Sequence, residues 1–293
     1  MDEYRIDEPR VRRAFERAAP TYLAAARLER EIGARMLERL ELVRLEPGVV
    51  LDAGAGPAPQ AAELHRRYPD ALHVALDWSP AMLRERTARA NWLGRMLGKR
   101  GPAAVCADMR RMPFGAGSCG LVWSNMALHW VSDPLPALTE LARVLRPDGL
   151  LMFSTLGPDT LKELRRACEA AGVASHVHRF RDMHDLGDML SVCGFAAPVM
   201  DMEIITLTFT SAAALIADFR ATGQTSSTAG RSRALMGKRR WAAVRDALES
   251  RTVDGRIAFT AEVVYGHAWK GAPRRNPDAR SIVRLERASR SKR

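Results

Sequence analysis

The stretch "VVLDAGAGPAP", from Val49 to Pro59, is the most informative part of the sequence for the fold class. An apolar run ends in an acidic residue, Asp52, and two glycines, Gly54 and Gly56, follow it. This pattern predicts a short buried strand that ends in a tight turn before a helix. Because glycine has no Cβ, such a turn lets the backbone pass close to a ligand. A tight strand–helix turn without a ligand is the alternative for a glycine pair taken alone.

Short apolar runs alternate with segments of helical periodicity on both sides of this turn. Apolar residues at helical spacing predict one or two helices over residues 11–43, and further helices are predicted over about 59–68, 80–97 and 135–145. Five runs are predicted as strands: "GVVLDA", which is predicted to be buried, and "LHVALD", "AAVCAD", "GLVWSN" and "GLLMFSTL". Strands alternating with helices predict an α/β fold, with a parallel sheet covered by helices on both faces. In such a sheet, ligands bind beyond the carboxyl ends of the strands.

Composition and charge narrow the class of protein. The 293 residues are 47% hydrophobic and carry a net charge of +11, of which residues 270–293 hold +7 and the rest only +4. We expect this tail to be a disordered, solubilising extension rather than a nucleic-acid-binding one. No apolar run reaches the roughly 18 residues of a membrane helix, and the charged N-terminus lacks an apolar signal core. Four widely spaced cysteines suggest neither zinc nor disulfides, so we expect a soluble cytoplasmic protein.

The residues around the glycine turn favour a cofactor without phosphate. A dinucleotide site needs free backbone donors at a helix N-terminus, and Pro57 and Pro59 remove donors there. Asp52 would repel a phosphate but suits a cation such as the amino group of a methionine moiety. Asp77 ends the second predicted strand, 21 residues after Gly56, where a carboxylate can accept both hydroxyls of a ribose. S-adenosylmethionine, with a sulfonium and no phosphate, fits this set best.

The motifs in residues 45–155 resemble those of the class I S-adenosylmethionine-dependent methyltransferases. The similar motifs are "LDAGAGPAP", "ALDWSPAML", "CADMRRMPF", "LVWSNMALHWVSD" and "VLRPDGLLMFS". The resemblance implies a Rossmann-like, mostly parallel seven-stranded sheet with an N-terminal helical lid. The cofactor residues that it implies are Asp52, Gly54, Gly56, Asp77, Trp78, Asp108, Met109 and Asn125, with Asp108 and Met109 at the adenine. The sequence departs from the family at Ala58, where glycine is usual, and this puts cofactor affinity in doubt.

Motifs outside the cofactor core resemble a narrower subfamily, the malonyl-[acyl-carrier protein] O-methyltransferases of biotin synthesis. They are "VRRAFERAAPTY", "FSTLGPDTLKELR", "HVHRFRDMHDLGDML", "PVMDMEIITLTF" and "EVVYGHAWK". The resemblance implies a lid at residues 1–45, a methyltransferase domain at 46–269 with an insertion at about 156–194, and an acyl carrier protein as partner. Two alternatives stay open: a protein-arginine hydroxylase or assembly factor of the same fold, and a cofactor-binding protein without catalysis.

Four residues are candidates for the substrate side of the reaction. Arginine pairs bidentately with a carboxylate, which makes Arg179 the first candidate and Arg17, in the lid-like motif, the second. Tyr22 of the same motif is a candidate to shield the sulfonium or bind substrate, and His129, after the fourth strand, to orient the carboxylate. Surface salt bridges and simple packing are the competing interpretations. His178, His184 and their acidic neighbours do not suggest a metal site strongly enough, and we predict none.

Overall fold

The computed structural model describes residues 4–89, 103–174, 177–229 and 237–271. Seven strands form one sheet: β1 Val49–Ala53, β2 Leu72–Asp77, β3 Ala103–Cys106, β4 Cys119–Ser124, β5 Leu145–Leu156, β6 Phe195–Phe209 and β7 Ile257–Lys270. Their order across the sheet is β3-β2-β1-β4-β5-β7-β6.

Helices cover both faces of this sheet. In chain order they are α1 Glu8–Ala25, α2 Arg27–Glu41, α3 Ala61–Arg67, α4 Pro80–Arg89, α5 Pro134–Val144, α6 Lys162–Ala170, α7 Met183–Val192, α8 Ala212–Ala221 and α9 Lys238–Glu249. A short 3₁₀ turn, Leu128–Trp130, follows β4. None of the described helices combines the length and apolar character that a membrane crossing requires.

The strand pairing confirms a mostly parallel, Rossmann-like sheet. β1 lies between β2 and β4 and is parallel to both, with Asp52 opposite Ala75 on one side and Trp123 on the other. β7 inserts antiparallel between β5 and β6. Since the parallel strands all point the same way, the ends of β1, β2, β3 and β4 meet along one edge of the sheet. The five strands predicted from the sequence are β1 to β5.

The parallel strands β1, β2 and β4 are buried on both faces over nearly all of their residues, which explains their continuous apolar runs, whereas β3, at the edge of the sheet, is largely exposed. Leu51 and Ala53 of β1 pack with α5 on one face, whereas Val50 packs with α2 on the other, through Ile32 and Met36. This alternation follows from the two-residue period of a strand. The central strands are therefore held rigidly, so the residues at their ends have fixed positions.

The N-terminal helix α1 crosses from one side of the molecule to the other. It begins at Asp7, whose side chain accepts a hydrogen bond from the Arg10 N–H at 3.1 Å, as expected of an N-cap. Its buried residues include Val11 and Ala14, and it packs against α4 and α8. α2 follows after a single residue, Ala26, so α1 lies across the edge where the parallel strands end.

Two later segments complete the fold. Residues 156–194, expected to hold an insertion, carry the end of β5 followed by α6 and α7. A further helical segment, α8 and α9, lies between β6 and β7 and packs with α6 around Leu215, Val244 and Phe259. Lys270, the first residue of the expected basic tail, is the last residue of β7. Residues 272–293 of that tail, and residues 90–97 of the fourth predicted helix, lie outside the described residues.

Candidate active site

A pocket opens at the edge where β1, β2, β3 and β4 end, beneath α1. Eight of the residues singled out from the sequence line it together: Tyr22, Gly54, Gly56, Asp77, Trp78, Asp108, Met109 and Asn125. Residues that sequence reasoning did not assign to the cofactor also line it, among them Glu8, Phe15, Met82, Arg110 and Trp130. The topology of the sheet brings these positions together although the lining residues extend in sequence from Glu8 to Val131.

Asp77 is a fixed, buried acceptor at the end of β2. Its two carboxylate oxygens accept hydrogen bonds from the backbone N–H of Gly56 at 2.8 Å and of Ser79 at 2.7 Å. Burial raises the pKa of Asp77 to about 6, against the effect of these two bonds. At neutral pH the group is therefore mostly ionised, with its remaining acceptor capacity available in the pocket.

Three residues of the glycine turn have positive φ angles: Gly54, Gly56 and Ala58, of which only the first two are glycines. Gly54 has φ +75°, and a Cβ there would lie 2.3 Å from the Cβ of Ala127. A Cβ at Gly56, φ +53°, would meet no atom within 4 Å, so here the backbone itself borders open space. Ala58 has φ +52° and is buried. An L-residue pays roughly 1–2 kcal/mol for this left-handed conformation, which explains why glycine is preferred at this position.

Asp52 and Asn125 lie at the ends of β1 and β4, close to the pocket. Asp52 is buried near the end of β1 and is not among the lining residues, but its charge acts on Tyr22. The Asn125 amide donates to the Glu29 carbonyl at 2.8 Å and accepts from the Ser154 hydroxyl at 2.8 Å. Asn125 thus ties α2 to the ends of β4 and β5, and its own side chain is held in one orientation.

Tyr22 brings a phenol over the same pocket from α1. Burial, followed by the charges of Glu29, Asp77 and Asp52, raises the pKa of Tyr22 well above its usual value. The phenol therefore keeps its proton and is available as a hydrogen-bond donor. Tyr22 lies in the pocket lining, and its membership of a lid stays a prediction.

The start of α1 is fastened across the mouth of the pocket by a charged cluster. Arg110 contacts Glu8 of α1 at 2.9 Å and Asp108 at 2.5 Å. Burial alone would raise the pKa of Asp108, but the hydrogen bonds from Arg110 outweigh it and keep the pKa below its usual value. Glu8 also accepts from the Ser132 N–H at 3.2 Å. No sequence signal links Glu8 to Arg110, which is 102 residues away.

An aromatic cluster forms the far wall of the pocket. Trp130 packs edge-on against Phe15 of α1, with ring centroids 5.1 Å apart, and against His178 at 5.3 Å. His129 lies between Trp130 and Phe180 and is half-buried, with its Nδ1 3.4 Å from the Thr155 hydroxyl. Burial, with a smaller contribution from His178, lowers the pKa of His129 to about 3. The histidines of this wall are therefore uncharged at neutral pH.

The arginine candidates differ in their positions. Arg179 is exposed and lines a smaller adjoining pocket together with His129, Phe180 and Arg181. Burial and then the charge of Arg179 lower the pKa of Arg165, and the buried Nη1 of Arg165 has no hydrogen-bond partner among the residues that the structure describes. Arg17 is exposed on α1 and lines neither this pocket nor the one beneath α1.

The two histidines near Arg179, His178 and His184, differ in their exposure to solvent. His178 is buried, whereas the His184 side chain is 80% exposed and pairs with Asp182 at 2.7 Å. Over the described ranges, no three His, Cys, Asp or Glu side chains are arranged to hold a metal ion.

The residues beneath α1 fit S-adenosylmethionine. The oriented Asp77 carboxylate matches a pair of ribose hydroxyls, and the bare backbone at Gly56 leaves room beside it. Met82, Met109 and Trp78 supply apolar surface for a flat base. Asp52, Asp77 and Glu29 add acidic groups that favour a cationic ligand over a phosphate.

Comparisons with known proteins agree with this geometry. A family model described as a methyltransferase domain matches residues 51–153. A malonyl-[acyl-carrier protein] O-methyltransferase of Gallionella capsiferriformans is 47% identical over 97% of this chain and 98% of its own length. Its counterpart from Laribacter hongkongensis is 48% identical over 96% of this chain and 97% of its own. The crystal structure of YcgJ from Bacillus subtilis shares the fold, with a TM-score of 0.56, 16% identity, and coverage of 81% of this chain and 98% of its own. The chain belongs to the malonyl-[acyl-carrier protein] O-methyltransferase family.

Proposed function

We propose that this enzyme transfers the methyl group of S-adenosylmethionine to the free carboxylate of malonyl-[acyl-carrier protein]. The observation that carries the proposal is the similarity to relatives of that name over nearly the full length of both chains. The resulting methyl ester would hide the charge of the malonyl group, so that it serves as a primer for the pimeloyl part of biotin. The four free cysteines suit a cytoplasmic location.

The reaction needs no general base. A carboxylic acid has a pKa of about 4, so at neutral pH the substrate is already the nucleophile. When bound, S-adenosylmethionine supplies an electrophilic methyl group on its sulfonium. Methyl transfer to a carboxylate would require no proton movement, so no residue of the pocket would have to exchange a proton. His129 and Tyr22 suit such a reaction, because one is held neutral and the other protonated.

The chain's own residues would then act by binding, orientation and exclusion of water. Asp77 would hold the cofactor, and Tyr22 and Phe15 of α1, which line the same pocket, would help to enclose it. The aromatic wall around Trp130 keeps water from the carboxylate and weakens its solvation. Alignment of the reacting atoms contributes the rest of the rate, as in other reactions between positioned partners.

Arg179 is our proposed anchor for the malonyl carboxylate. Its side chain lines the pocket next to His129, and the nearby positive charge of Arg165 makes that rim favourable for an anion. The same positive rim suits an acidic carrier protein, which it would attract from solution. Arg17 is a weaker candidate, because it lies on the exposed side of α1.

Genetic complementation tests the proposed function. The full chain is expressed in a biotin auxotroph that lacks its own malonyl-[acyl-carrier protein] methyltransferase. We expect growth without biotin, and no growth when the chain carries Asp77→Ala at a low expression level. An absence of rescue by the unchanged chain, with the soluble protein verified in the cells and growth restored by added biotin, contradicts the proposal.

A further inference from the structure

A second and larger cavity lies beside the aromatic wall. Its volume is about 450 Å³, within the range of roughly 300–1,000 Å³ that is typical of ligand pockets. It lies among α6, α8, α9 and the adjoining strands, and its apolar walls include Leu164, Leu215, Ile216, Phe219, Trp241 and Val244. Trp130 lines both this cavity and the pocket beneath α1.

His178 and Thr160 in the cavity wall are already engaged with the protein, whereas the buried Ser226 hydroxyl, also in the wall, has no hydrogen-bond partner among the described residues. The His178 Nε2 accepts a hydrogen bond from the Ser227 N–H at 2.7 Å, and burial lowers the pKa of His178 to about 4. The Thr160 hydroxyl donates to the Glu262 carbonyl at 3.1 Å. Two arginines, Arg10 and Arg220, are also among the lining residues, and Arg220 is exposed. The cavity thus has mostly apolar walls, one unpartnered hydroxyl, and the positive charge of the exposed Arg220 at its solvent side.

The size and chemistry of the cavity do not suit the malonyl group. Malonyl has three carbons and a charge, and it needs only a small polar site. The pantetheine arm carries two amides, whose N–H and C=O groups require more hydrogen-bond partners when buried than the single unpartnered Ser226 hydroxyl supplies. An apolar cavity of roughly 150 Å³ takes up benzene, so a volume about three times larger has room for a chain on the order of a dozen carbons. A saturated hydrocarbon chain fits these walls best.

We propose that this cavity binds the saturated chain of a medium-chain acyl group, either as a free fatty acid or as a thioester. The proposal goes beyond the methyl transfer, because this ligand receives no methyl group. Through Trp130, a chain bound here borders the aromatic wall of the active site. The enzyme therefore binds medium-chain acyl groups, which fatty-acid elongation produces, in addition to its malonyl substrate.

Calorimetry on the full chain tests the proposal with butanoate, hexanoate, octanoate, decanoate and dodecanoate. Each added methylene should lower the Kd about fourfold, the factor for about 0.8 kcal/mol of apolar burial, until the cavity is full. Binding should also show a negative heat-capacity change. A Kd that does not depend on chain length, or no binding of decanoate, overturns the proposal.

Two matched variants locate the bound chain. Ile216→Trp fills part of the cavity and should weaken decanoate binding at least tenfold, whereas Ile204→Trp, on the exposed side of β6, should leave it unchanged. Titration with S-adenosylhomocysteine verifies that both variants are folded. Decanoate binding that is equal in Ile216→Trp and wild type overturns the cavity assignment.

A second ligand distinguishes a free fatty acid from a thioester as the source of the bound chain. S-decanoyl-pantetheine carries the same chain with an uncharged head. Tighter binding of decanoate identifies the free acid, attracted by Arg10 and Arg220, and tighter binding of the thioester identifies the carrier-bound chain. A malonyl-thioester methylation assay on the same preparations separates the two proposals, because failure of decanoate binding leaves that activity intact.

Discussion

Replacement of Asp77 by alanine should weaken cofactor binding far more than it weakens the fold. The carboxylate of Asp77 is buried at the end of β2, and both of its oxygens are oriented by backbone donors, those of Gly56 and Ser79. In the proposed complex it accepts hydrogen bonds from the two ribose hydroxyls. Alanine removes this acceptor and leaves the rest of the pocket unchanged.

The magnitude follows from the charge of the acceptor and from its burial. Hydrogen bonds to a charged group contribute about 1.5–3 kcal/mol, which corresponds to a tenfold to hundredfold loss of affinity. The effect on stability is a balance of two terms. Alanine removes a buried charge whose pKa is raised from 3.8 to about 6, a cost of about 3 kcal/mol at neutral pH, but it also leaves two N–H groups without their acceptor. We therefore expect a small change in the free energy of unfolding.

Calorimetry with S-adenosylhomocysteine at pH 7.5 measures the effect directly. Asp70→Ala is the matched control, since Asp70 is an exposed acid in the loop that precedes β2. We expect wild-type affinity in the control and the predicted loss in Asp77→Ala. An unchanged dissociation constant in a folded Asp77→Ala protein refutes the assignment of Asp77 to the cofactor.

Three further predictions concern pH and the substrate. The pKa of Asp77 is about 6, and its ionised form is the better acceptor. The affinity of wild type for S-adenosylhomocysteine should therefore fall about tenfold per pH unit below pH 6. A dissociation constant that does not change between pH 5 and pH 7 contradicts this prediction. Burial raises the pKa of Glu29 from 4.5 to about 7, so the folded state holds an extra proton between these values and stability falls as pH rises through them. Glu29→Gln keeps an acceptor for Gln224, so its free energy of unfolding, measured with urea, should rise relative to that of wild type by about 3 kcal/mol between pH 5 and pH 8. A difference between the two proteins that stays constant with pH contradicts the raised pKa of Glu29. Arg179→Ala should lower kcat/KM for malonyl-thioester at least tenfold with cofactor binding intact, and Arg179→Lys should not restore it, because lysine lacks the bidentate fork; full activity in the alanine variant would exclude Arg179 as anchor.

The pocket beneath α1 could be predicted from the sequence because of where its residues lie on the strands. Gly54, Asp77, Asp108 and Asn125 each follow a run that is apolar enough to identify as a strand. Once the runs are placed in a parallel sheet, their carboxyl ends must meet along one edge. The structure gathers these four residues around one pocket, as that reasoning expects.

Other features depend on tertiary contacts that leave no local pattern. The pairing of Glu8 with Arg110 joins residues far apart in sequence, and either residue alone reads as a surface charge. The large cavity arises from the packing of α6, α8 and α9, whose apolar residues resemble those of any amphipathic helix. The position of Arg17 on the exposed side of α1 is equally a matter of helix orientation, which a motif does not specify.

The most direct test of the account is mass spectrometry of intact malonyl-[acyl-carrier protein] incubated with the enzyme and S-adenosylmethionine that carries a deuterated methyl group. We predict that the carrier protein gains one labelled methyl, that mild esterase treatment removes it, and that acetyl-[acyl-carrier protein], which lacks the free carboxylate, gains none. Malonyl-[acyl-carrier protein] that stays unlabelled, with an enzyme that binds S-adenosylhomocysteine normally, would contradict the account.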